Sequence, residues 1–445
     1  MTPDRDPLIT GIGLISCLGE GEAAHLTALD AFAPVVDETS FAPYPVHPMT
    51  PLALDTQIPK RGDQRQMEAW QRFGVYAAGL ALDSAKAKGD AALLERMDMI
   101  VAAGGGERDY AVDAAILAAL PGAGDPDLYL NEHLLADIRP TLFLAQLSNL
   151  LAGNISIVHG VIGSSRTFMG EEASGADALY IACARIEAGQ SEICLAGGSF
   201  NAQRPDAFLH NAMGHTLWRG PYAPVWSRLP PRNGQDRGHA NGDDKAGGGG
   251  HDKGNGGGLD PGDGGGHGNG GGGRGGDGGG GGGVLGSVSC FLVIESRAHA
   301  RARGVTPKAR IAGIRTDRCG RAPGEAAANA ARQVAALGGA SAAGAVISGA
   351  TGAKHLLAEE RNFLDGLGLP YRAICSAFGN SVEPSFPASV AVAAMSLARG
   401  RLFPPLEAAE APFEGAPKGL FVTSWGLWRG EATALIVPAE ETGRG

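Results

Sequence analysis

Residues 172–200, EASGADALYIACARIEAGQSEICLAGGSF, decide the fold of this chain. Apolar side chains recur at helical spacing from residue 172 to about residue 187, which predicts a helix with one apolar face. That face consists of Leu179, Ala182, Cys183 and Ile186. Residues 192–196 are a short apolar run that ends at two glycines, and they predict a buried strand. A helix that leads directly into a buried strand is typical of α/β domains.

The same alternation of apolar runs and amphipathic stretches continues along most of the chain. Further strands are predicted over residues 7–16, 97–103, 155–158, 287–295, 310–314, 345–348, 371–374, 420–424 and 432–437. Further helices are predicted over residues 68–86, 326–337, 354–364 and 388–399. Two successive sets of strands and helices predict a layered α/β sandwich that arose by duplication.

A glycine-rich tract interrupts this pattern. The chain has 445 residues and 71 glycines, and 26 of those glycines fall within residues 241–283. Such a tract buries too little apolar surface to form a core, so we expect a flexible surface loop. The other 402 residues can bury a substantial core. We predict an N-terminal half over residues 1–300, with a disordered insert at about residues 234–283, and a C-terminal half over residues 301–445.

Charge and cysteine usage exclude several classes of protein. With 37 basic and 47 acidic residues the net charge is −10, the wrong sign for a protein that follows a phosphate backbone. The six cysteines are isolated from one another, which favours buried thiols in a reducing compartment over disulfides or a zinc site. Without a leader pattern or a long apolar run, we expect a soluble cytoplasmic protein with no stable membrane insertion, no metal and no cofactor.

Four separated segments resemble, in order, the motifs of β-ketoacyl-acyl carrier protein synthases. Residues 9–19, ITGIGLISCLG, are similar to the opening strand and glycine turn of that family, and residues 172–200 to the segment around its nucleophile. Residues 284–304, VLGSVSCFLVIESRAHARARG, are similar to its Leu-Gly-Glu-Gly strand, and residues 424–437, SWGLWRGEATALIV, match its closing segment in length. The resemblance implies the thiolase-like fold, a duplicated α-β-α-β-α layered sandwich, and an acyltransferase ancestry.

The residue at the family's nucleophile position differs in this chain. The family has a cysteine two residues before Ser-Gly, at the N-terminus of a buried helix that lowers the pKa of the thiol and supplies an oxyanion hole. Here that position is Glu172, in GEEASG. A carboxylate is stabilised at a helix start, but its attack on a thioester would give a labile mixed anhydride. Glu172 is therefore a poor acyl carrier.

The other catalytic positions differ as well. In the family, two histidines bind and polarise the malonyl thioester and stabilise the enolate formed on decarboxylation. The stretch VISGATG puts Ala350 at the first histidine, and CSAFGN puts Asn380 at the second and Cys375 at the family's lysine. Four changes in one site predict that the condensation machinery is absent.

The resemblance also implies roles for residues around the acyl chain. Trp425, Leu427 and Trp428 stand in the family's gate loop, where the indole rings either fill an occluded pocket or simply cover the core. Phe143, Leu144 and Gln146 lie in the segment that crosses the family's two-fold interface into the partner's acyl tunnel. These three residues are our candidates for limiting the chain length of the product.

A condensing-enzyme fold without its nucleophile is similar to chain-length-factor subunits, which pair with an active ketosynthase. Residues 139–172 are also similar to synthase-like proteins of very-long-chain fatty acid and lipid A assembly in α-proteobacteria. The resemblance implies a heterodimer with a ketosynthase, or a homodimer, and an acyl carrier protein that delivers the substrate. An acidic carrier would dock on basic residues, for which the candidates are Arg65, Arg72, Arg297, Arg301 and Arg303.

Two alternatives stay open at this point. The chain could act alone as a decarboxylase or acyltransferase that uses Glu172, with Glu171 as its pair. It could also be a non-catalytic scaffold that binds the carrier protein without any influence on chain length. The missing histidines weaken the enzymatic alternative, because decarboxylation requires a stabilised enolate.

Overall fold

The structure, a computed structural model, describes residues 3–138, 146–230 and 281–440. The strands in these residues are β1 Pro7–Ser16, β2 Gly19–Glu20, β3 Val46–His47, β4 Asp98–Ala102, β5 Ser165–Phe168, β6 Ile193–Phe200, β7 Leu285–Gly286, β8 Val288–Ser296, β9 Ala309–Asp317, β10 Ala345–Ser348, β11 Tyr371–Ala373, β12 Leu420–Trp425 and β13 Glu431–Val437. The helices are α1 Gly21–Ala31, α2 Arg61–Gln66, α3 Ala69–Ser84, α4 Ala91–Arg96, α5 Tyr110–Ala119, α6 Pro126–Ala136, α7 Leu150–His159, α8 Ala173–Glu187, α9 Pro205–Met213, α10 Arg297–Arg303, α11 Glu325–Ala336, α12 Leu357–Leu367, α13 Cys375–Phe378 and α14 Ser385–Ala398.

The main sheet consists of two five-stranded sets with the same internal order. The first set runs β5-β4-β6-β8-β1 and the second runs β11-β10-β12-β13-β9. In each set the first three strands are parallel to one another. Each of the last two strands pairs antiparallel with the strand before it in the order. The two sets join where β1 pairs with β9, at Leu8 with Arg310 and at Ile9 with Ala309. This repeat confirms the predicted duplicated α/β sandwich.

Helices α8 and α14 form the middle layer of the sandwich. They pack against each other, and each contacts strands of both sets. Every residue of α14 from Ser385 to Leu397 is buried, which agrees with a helix whose sequence is apolar or small on all sides. Helix α3 covers β1 from the outside, where Gly13 has no side chain because a Cβ would lie 1.9 Å from the carbonyl oxygen of Ala77.

One predicted strand is wrong. Residues 155–158 belong to helix α7, which buries Leu151, Ala152, Ile155 and His159. These positions recur at helical spacing and lie on one face. The edge strand of the first set is β5, which follows α7 after a short loop.

The chain divides into one unit formed by Met1–Leu229 and Gly281–Gly445 and a second unit, Pro230–Gly280. All of the second unit except Pro230 lies outside the described residues. Residues 281–283, the end of the predicted insert, belong to the first unit, and the Gly282 N–H donates to the Gly352 carbonyl at 2.6 Å. The predicted boundary between residues 300 and 301 stays a prediction. None of the described helices is both long and apolar enough to cross a membrane.

Candidate functional site

Glu172 stands at the N-terminal end of α8, in the middle layer of the sandwich. It is the residue before the first helical turn and only 3% of it is exposed. Its carboxyl group accepts two hydrogen bonds, each 3.3 Å long, one from the side-chain amide of Asn380 and one from the backbone N–H of Leu427. The structure therefore brings the predicted nucleophile position, the predicted second histidine position and the predicted gate loop into direct contact.

The surroundings of Glu172 oppose a reactive carboxylate. Burial raises the pKa of Glu172, and the negative charge of Glu171 adds to this shift, while the hydrogen bonds from Leu427 and Asn380 act against it. A buried carboxyl group that is fixed by two donors has the character of a structural bridge. It differs in this respect from the exposed, ionised group that nucleophilic attack requires.

Asn380 uses its amide oxygen and one of its two side-chain N–H groups within the protein. Its Nδ2 donates to Glu172, and its Oδ1 accepts from the Val382 N–H at 3.1 Å and from the Ser385 hydroxyl at 3.2 Å. Its backbone is held too, because Asn380 N–H donates to the Val284 carbonyl at 2.8 Å. The amide therefore positions the loop before α14.

Ala350 and Cys375 occupy the remaining two catalytic positions with groups that cannot hold charge there. Ala350 is 1% exposed, and its backbone N–H donates to the Ser348 hydroxyl at 3.1 Å. The thiol of Cys375 points at the Gly349 carbonyl at 3.8 Å, directly before Ala350. Burial raises the pKa of Cys375 to about 12, so the thiol stays neutral where the family's lysine would be a cation.

The two tryptophans of the predicted gate, at the end of β12 and in the loop that follows, have different surroundings. Trp425 is buried and its ring lies 5.5 Å from that of Phe363, whereas Trp428 is 50% exposed and stacks on the ring of His355 at 6.0 Å. The Leu427 backbone is fixed on both sides, since its N–H donates to Glu172 and its carbonyl accepts from His355 Nε2 at 2.8 Å. The loop is thus anchored across Glu172.

Of the predicted tunnel residues, Phe143 and Leu144 lie outside the described residues. Gln146 is described and half-buried, and its carbonyl accepts a hydrogen bond from the Gly106 N–H at 3.2 Å. Nearby, the Ser148 hydroxyl donates to the Gly104 carbonyl at 2.8 Å. Gln146 is therefore tied to the glycine turn after β4 of its own chain.

A cavity of about 350 Å³ adjoins this site. Its walls come from the turn after β4, the turn before α8, the end of β6, helix α9 and the loop before α14. Glu383 lines the cavity, and burial raises the pKa of this residue to about 8. The sequence analysis did not predict a role for Glu383. The sequence shows only that an acidic residue stands three positions after Asn380. Among residues 3–138, 146–230 and 281–440, no group of three acidic, histidine or cysteine side chains is placed to hold a metal ion.

Comparison with known protein families finds one match, to part of the chain. Residues 51–222, which include Glu172, match the model of the β-ketoacyl synthase N-terminal domain. No curated protein matches the chain.

Several solved structures share the fold over the whole chain. The ishigamide ketosynthase/chain length factor is 17% identical with a TM-score of 0.70, and the match covers 98% of this chain and 100% of that chain. A β-ketoacyl synthase from Burkholderia phymatum STM815 is 18% identical with a TM-score of 0.70 and the same coverage. The type II PKS complex AntDE:AntF, a ketosynthase with its acyl-carrier protein, is 16% identical with a TM-score of 0.69, again covering 98% and 100%. The predicted thiolase-like fold and the resemblance to β-ketoacyl synthases are confirmed.

Proposed function

From a chain with the β-ketoacyl synthase fold, we propose a subunit that does not condense acyl chains itself. It pairs with an active ketosynthase, as a chain-length factor does, and helps to shape the acyl tunnel of that partner. The pair acts in the synthesis of fatty acids or related acyl chains. Within this class, very-long-chain fatty acids are the specific product that we propose. The substrate reaches the pair on an acyl carrier protein.

The contact between Glu172 and Asn380 carries this proposal. Both side chains stand where the family has reactive groups, and both spend their hydrogen bonds on each other and on neighbouring loops. With Ala350 and Cys375 at the other two positions, the four predicted catalytic positions hold no thiolate, imidazole or ammonium group. The scaffold is kept, and the chemistry must therefore come from another chain.

Two surfaces support a role as a partner subunit. Strand β5 ends the described sheet, with β4 as its only paired neighbour in the part of the chain that the structure describes. Helix α6 has no buried residue, and Leu128 and Leu135 are 53% and 78% exposed. Unpaired strand edges and exposed apolar helices are costly in a monomer and are commonly covered by a subunit.

The charge of the chain limits how it can meet an acidic carrier. Of the predicted docking arginines, Arg297 pairs with Asp6 at 3.0 Å and Arg303 with Glu295 at 2.6 Å. At a net charge of −10, we infer that the carrier contacts mainly the ketosynthase of the pair. The six cysteines are all free thiols, which supports a reducing, cytoplasmic location.

The test is reconstitution with a ketosynthase that keeps Cys, His and His. We expect the two chains to purify in equal amounts and to elongate an acyl-carrier substrate together. The chain alone should form no covalent acyl adduct by intact mass spectrometry. Replacing the partner's cysteine should abolish condensation, whereas Glu172→Gln should change the rate by no more than about twofold, because glutamine keeps the size of the side chain and its one amide oxygen can still accept one of the two hydrogen bonds.

Three results would contradict the proposal. One is an acyl adduct on the isolated chain. Another is release of carbon dioxide from malonyl-carrier by the isolated chain that Glu172→Gln abolishes, which would establish the stand-alone enzyme. The third is a product length that stays the same when Phe143 and Leu144 are enlarged in the reconstituted pair, which would leave only a scaffold.

A further inference from the structure

The cavity beside Glu172 has a mixed lining. Trp70, Phe200, Val382 and the backbone of Gly104 and Gly105 form much of its wall. Polar groups enter from several other elements, and these are Glu171, Ser199, Asn201, Arg204, Asp206, His210, Asn211 and Glu383. A concave site of this size with a few convergent polar groups is suited to a small molecule.

The single arginine of the lining is already satisfied. Arg204 Nε donates to Asp206 Oδ1 at 2.6 Å, and a second, shorter contact joins its Nη2 to Asp206 Oδ2. Its two Nη atoms also donate to the carbonyls of Gly105 and Gly106, at 3.2 and 3.0 Å. An incoming anion would therefore find no uncommitted cation in this wall.

Other polar groups of the lining are committed in the same way. The Ser199 hydroxyl donates to the Trp70 carbonyl at 2.6 Å. The Asn201 amide donates to Glu107 at 3.0 Å, and its oxygen accepts from the Gln203 N–H at 3.1 Å. These groups shape the wall but leave little hydrogen-bonding capacity for a ligand.

Glu383 differs from the polar groups just described. It is 5% exposed, and its Oε2 is buried without any hydrogen-bond donor. Its Oε1 lies over Gly104, where an added Cβ would come within 2.3 Å of that oxygen. The nearby charges are Glu172, which disfavours ionisation of Glu383, and Arg204, which favours it but is bound to Asp206. A buried carboxyl group with an unfilled acceptor is costly. Because Oε2 itself has no surface open to the cavity, a ligand that supplies N–H donors would relieve that cost when the Glu383 carboxyl group turns toward it.

We propose that this cavity binds a small organic cation, a primary ammonium group on a short apolar body. The ammonium group pairs with Glu383, and the body lies against Trp70, Phe200 and Val382. Glu171, on the rim and partly exposed, adds a second negative charge, although it also pairs with Arg429 at 3.4 Å. A bare metal ion does not fit, because the described residues supply no group of three ligands. This inference goes beyond the proposed function, since it concerns the isolated chain.

The test measures binding of 2-phenylethylamine to the full chain by calorimetry at about pH 9, above the pKa of about 8 of Glu383, where the carboxyl group is ionised and an alkylamine still carries its charge. Its uncharged isostere, 2-phenylethanol, serves as the comparison ligand. We expect saturable binding of the amine, and binding of the alcohol at least about tenfold weaker. Glu383→Gln should weaken binding of the amine at least about tenfold and should change the affinity for the alcohol by no more than about twofold.

The matched control is Glu410→Gln. Glu410 is a carboxyl group of similar burial, 4% exposed, but it accepts from the N–H groups of Ala373 and Leu406 and does not line the cavity. This variant should bind the amine like the unchanged chain. Gly104→Ala gives an independent test, because the added methyl group displaces the Glu383 carboxyl group. This variant should therefore bind the amine more weakly as well.

The outcomes are decisive in both directions. Equal binding of the amine by the unchanged chain and by Glu383→Gln, or equal binding of amine and alcohol, would overturn the proposal. If Glu383→Gln does not fold, the Gly104→Ala variant and the comparison of the two ligands decide. All measurements use the chain without a ketosynthase, so failure to pair with one would not affect them.

Discussion

At the scale of single residues, side chains at the predicted catalytic positions hold loops in place. Glu172 bridges Asn380 and Leu427, and Asn380 in turn fixes the turn that leads into α14. A carboxyl group buried beside an amide stabilises the fold as long as both keep their partners, and it costs free energy when one partner is removed. These two of the predicted catalytic positions thus connect three loops at the middle layer.

The burial of Glu360 predicts how the free energy of unfolding depends on pH. This carboxyl group is 2% exposed and accepts a hydrogen bond from the Ser348 hydroxyl at 3.1 Å. Burial raises the pKa of Glu360 from 4.5 to about 8, opposed by that hydrogen bond and by the charge of Arg321. Because the folded chain keeps a proton that the unfolded chain releases above pH 4.5, the contribution of Glu360 to the free energy of unfolding falls as the pH rises from about 4.5 to about 8.

Glu360→Gln should therefore flatten the loss of stability between pH 5.5 and pH 8, as measured by urea unfolding at several pH values. The control is Glu359→Gln, on the same helix and partly exposed, which accepts from the backbone N–H groups of Gly324 and Ala327. It should keep the slope of the unchanged chain. A Glu360→Gln slope equal to that of the unchanged chain would show that Glu360 does not keep its proton when the chain folds.

The four catalytic positions stay a prediction, which the sequence allows because each stands at a fixed place inside a family motif. Glu383 could not be predicted in this way, since nothing in the local sequence says that its carboxyl group is buried over Gly104, far away in the chain. The same holds for the bond between Leu427 and Glu172, which involves a backbone group and leaves no trace in residue type. Contacts between distant loops depend on the complete fold.

At the scale of helices and strands, the closest approach in the middle layer is at Gly175 of α8. A Cβ at this position would lie 2.1 Å from the Glu383 carbonyl oxygen and 2.8 Å from Cδ of Pro387, at the start of α14. Glycine normally lowers helix stability relative to alanine, so its presence here has a packing reason. The two helices can pack this closely only because the position lacks a side chain.

Gly175→Ala should therefore destabilise the chain by at least about 1 kcal/mol in chemical unfolding, in spite of alanine's higher helix propensity. The matched control is Gly153→Ala in α7, where the nearest atom to an added Cβ is 3.8 Å away. That change should stabilise the chain by roughly 0.5–1 kcal/mol. If both substitutions were stabilising, the close contact between α8 and α14 would be disproved.

The wrongly predicted strand at residues 155–158 shows where local patterns fail. Ile155, Ile157 and Val158 are β-branched and favour extended structure when read alone. Helix α7 nevertheless forms, because Ile155 packs into the core beneath it while Ile157 remains 69% exposed. Burial of one helical face outweighs a weak local preference, and only the tertiary structure determines which applies.

At the scale of the whole molecule, the duplicated order of strands was predictable, but the assembly was not. Each half repeats the sequence pattern of parallel strands and helices, so the α/β sandwich follows from periodicity and the family motifs. Nothing in the sequence of β5 marks it as the last strand of the described sheet. This edge is the strongest structural pointer to a second subunit.

The orientation of β5 allows the edge to be tested without harm to its own sheet. The carbonyl groups of Ser164 and Phe168 accept hydrogen bonds from β4, from Met99 N–H at 2.9 Å and Ala103 N–H at 3.0 Å. Since peptide groups alternate along a strand, Thr167 directs its N–H away from β4. Proline at this position removes an outward donor and keeps the pairing with β4.

We therefore expect Thr167→Pro to reduce association with a ketosynthase, or with a second copy of the chain, at least about tenfold, because a new strand could no longer bond fully to this edge. Light scattering after gel filtration measures the change, and circular dichroism checks that the chain stays folded. Thr167→Val keeps the N–H group and the β-branched side chain, so it should associate like the unchanged chain. If Thr167→Pro assembled normally, the subunit contact would have to lie elsewhere, and the exposed leucines of α6, Leu128 and Leu135, would be the next surface to change.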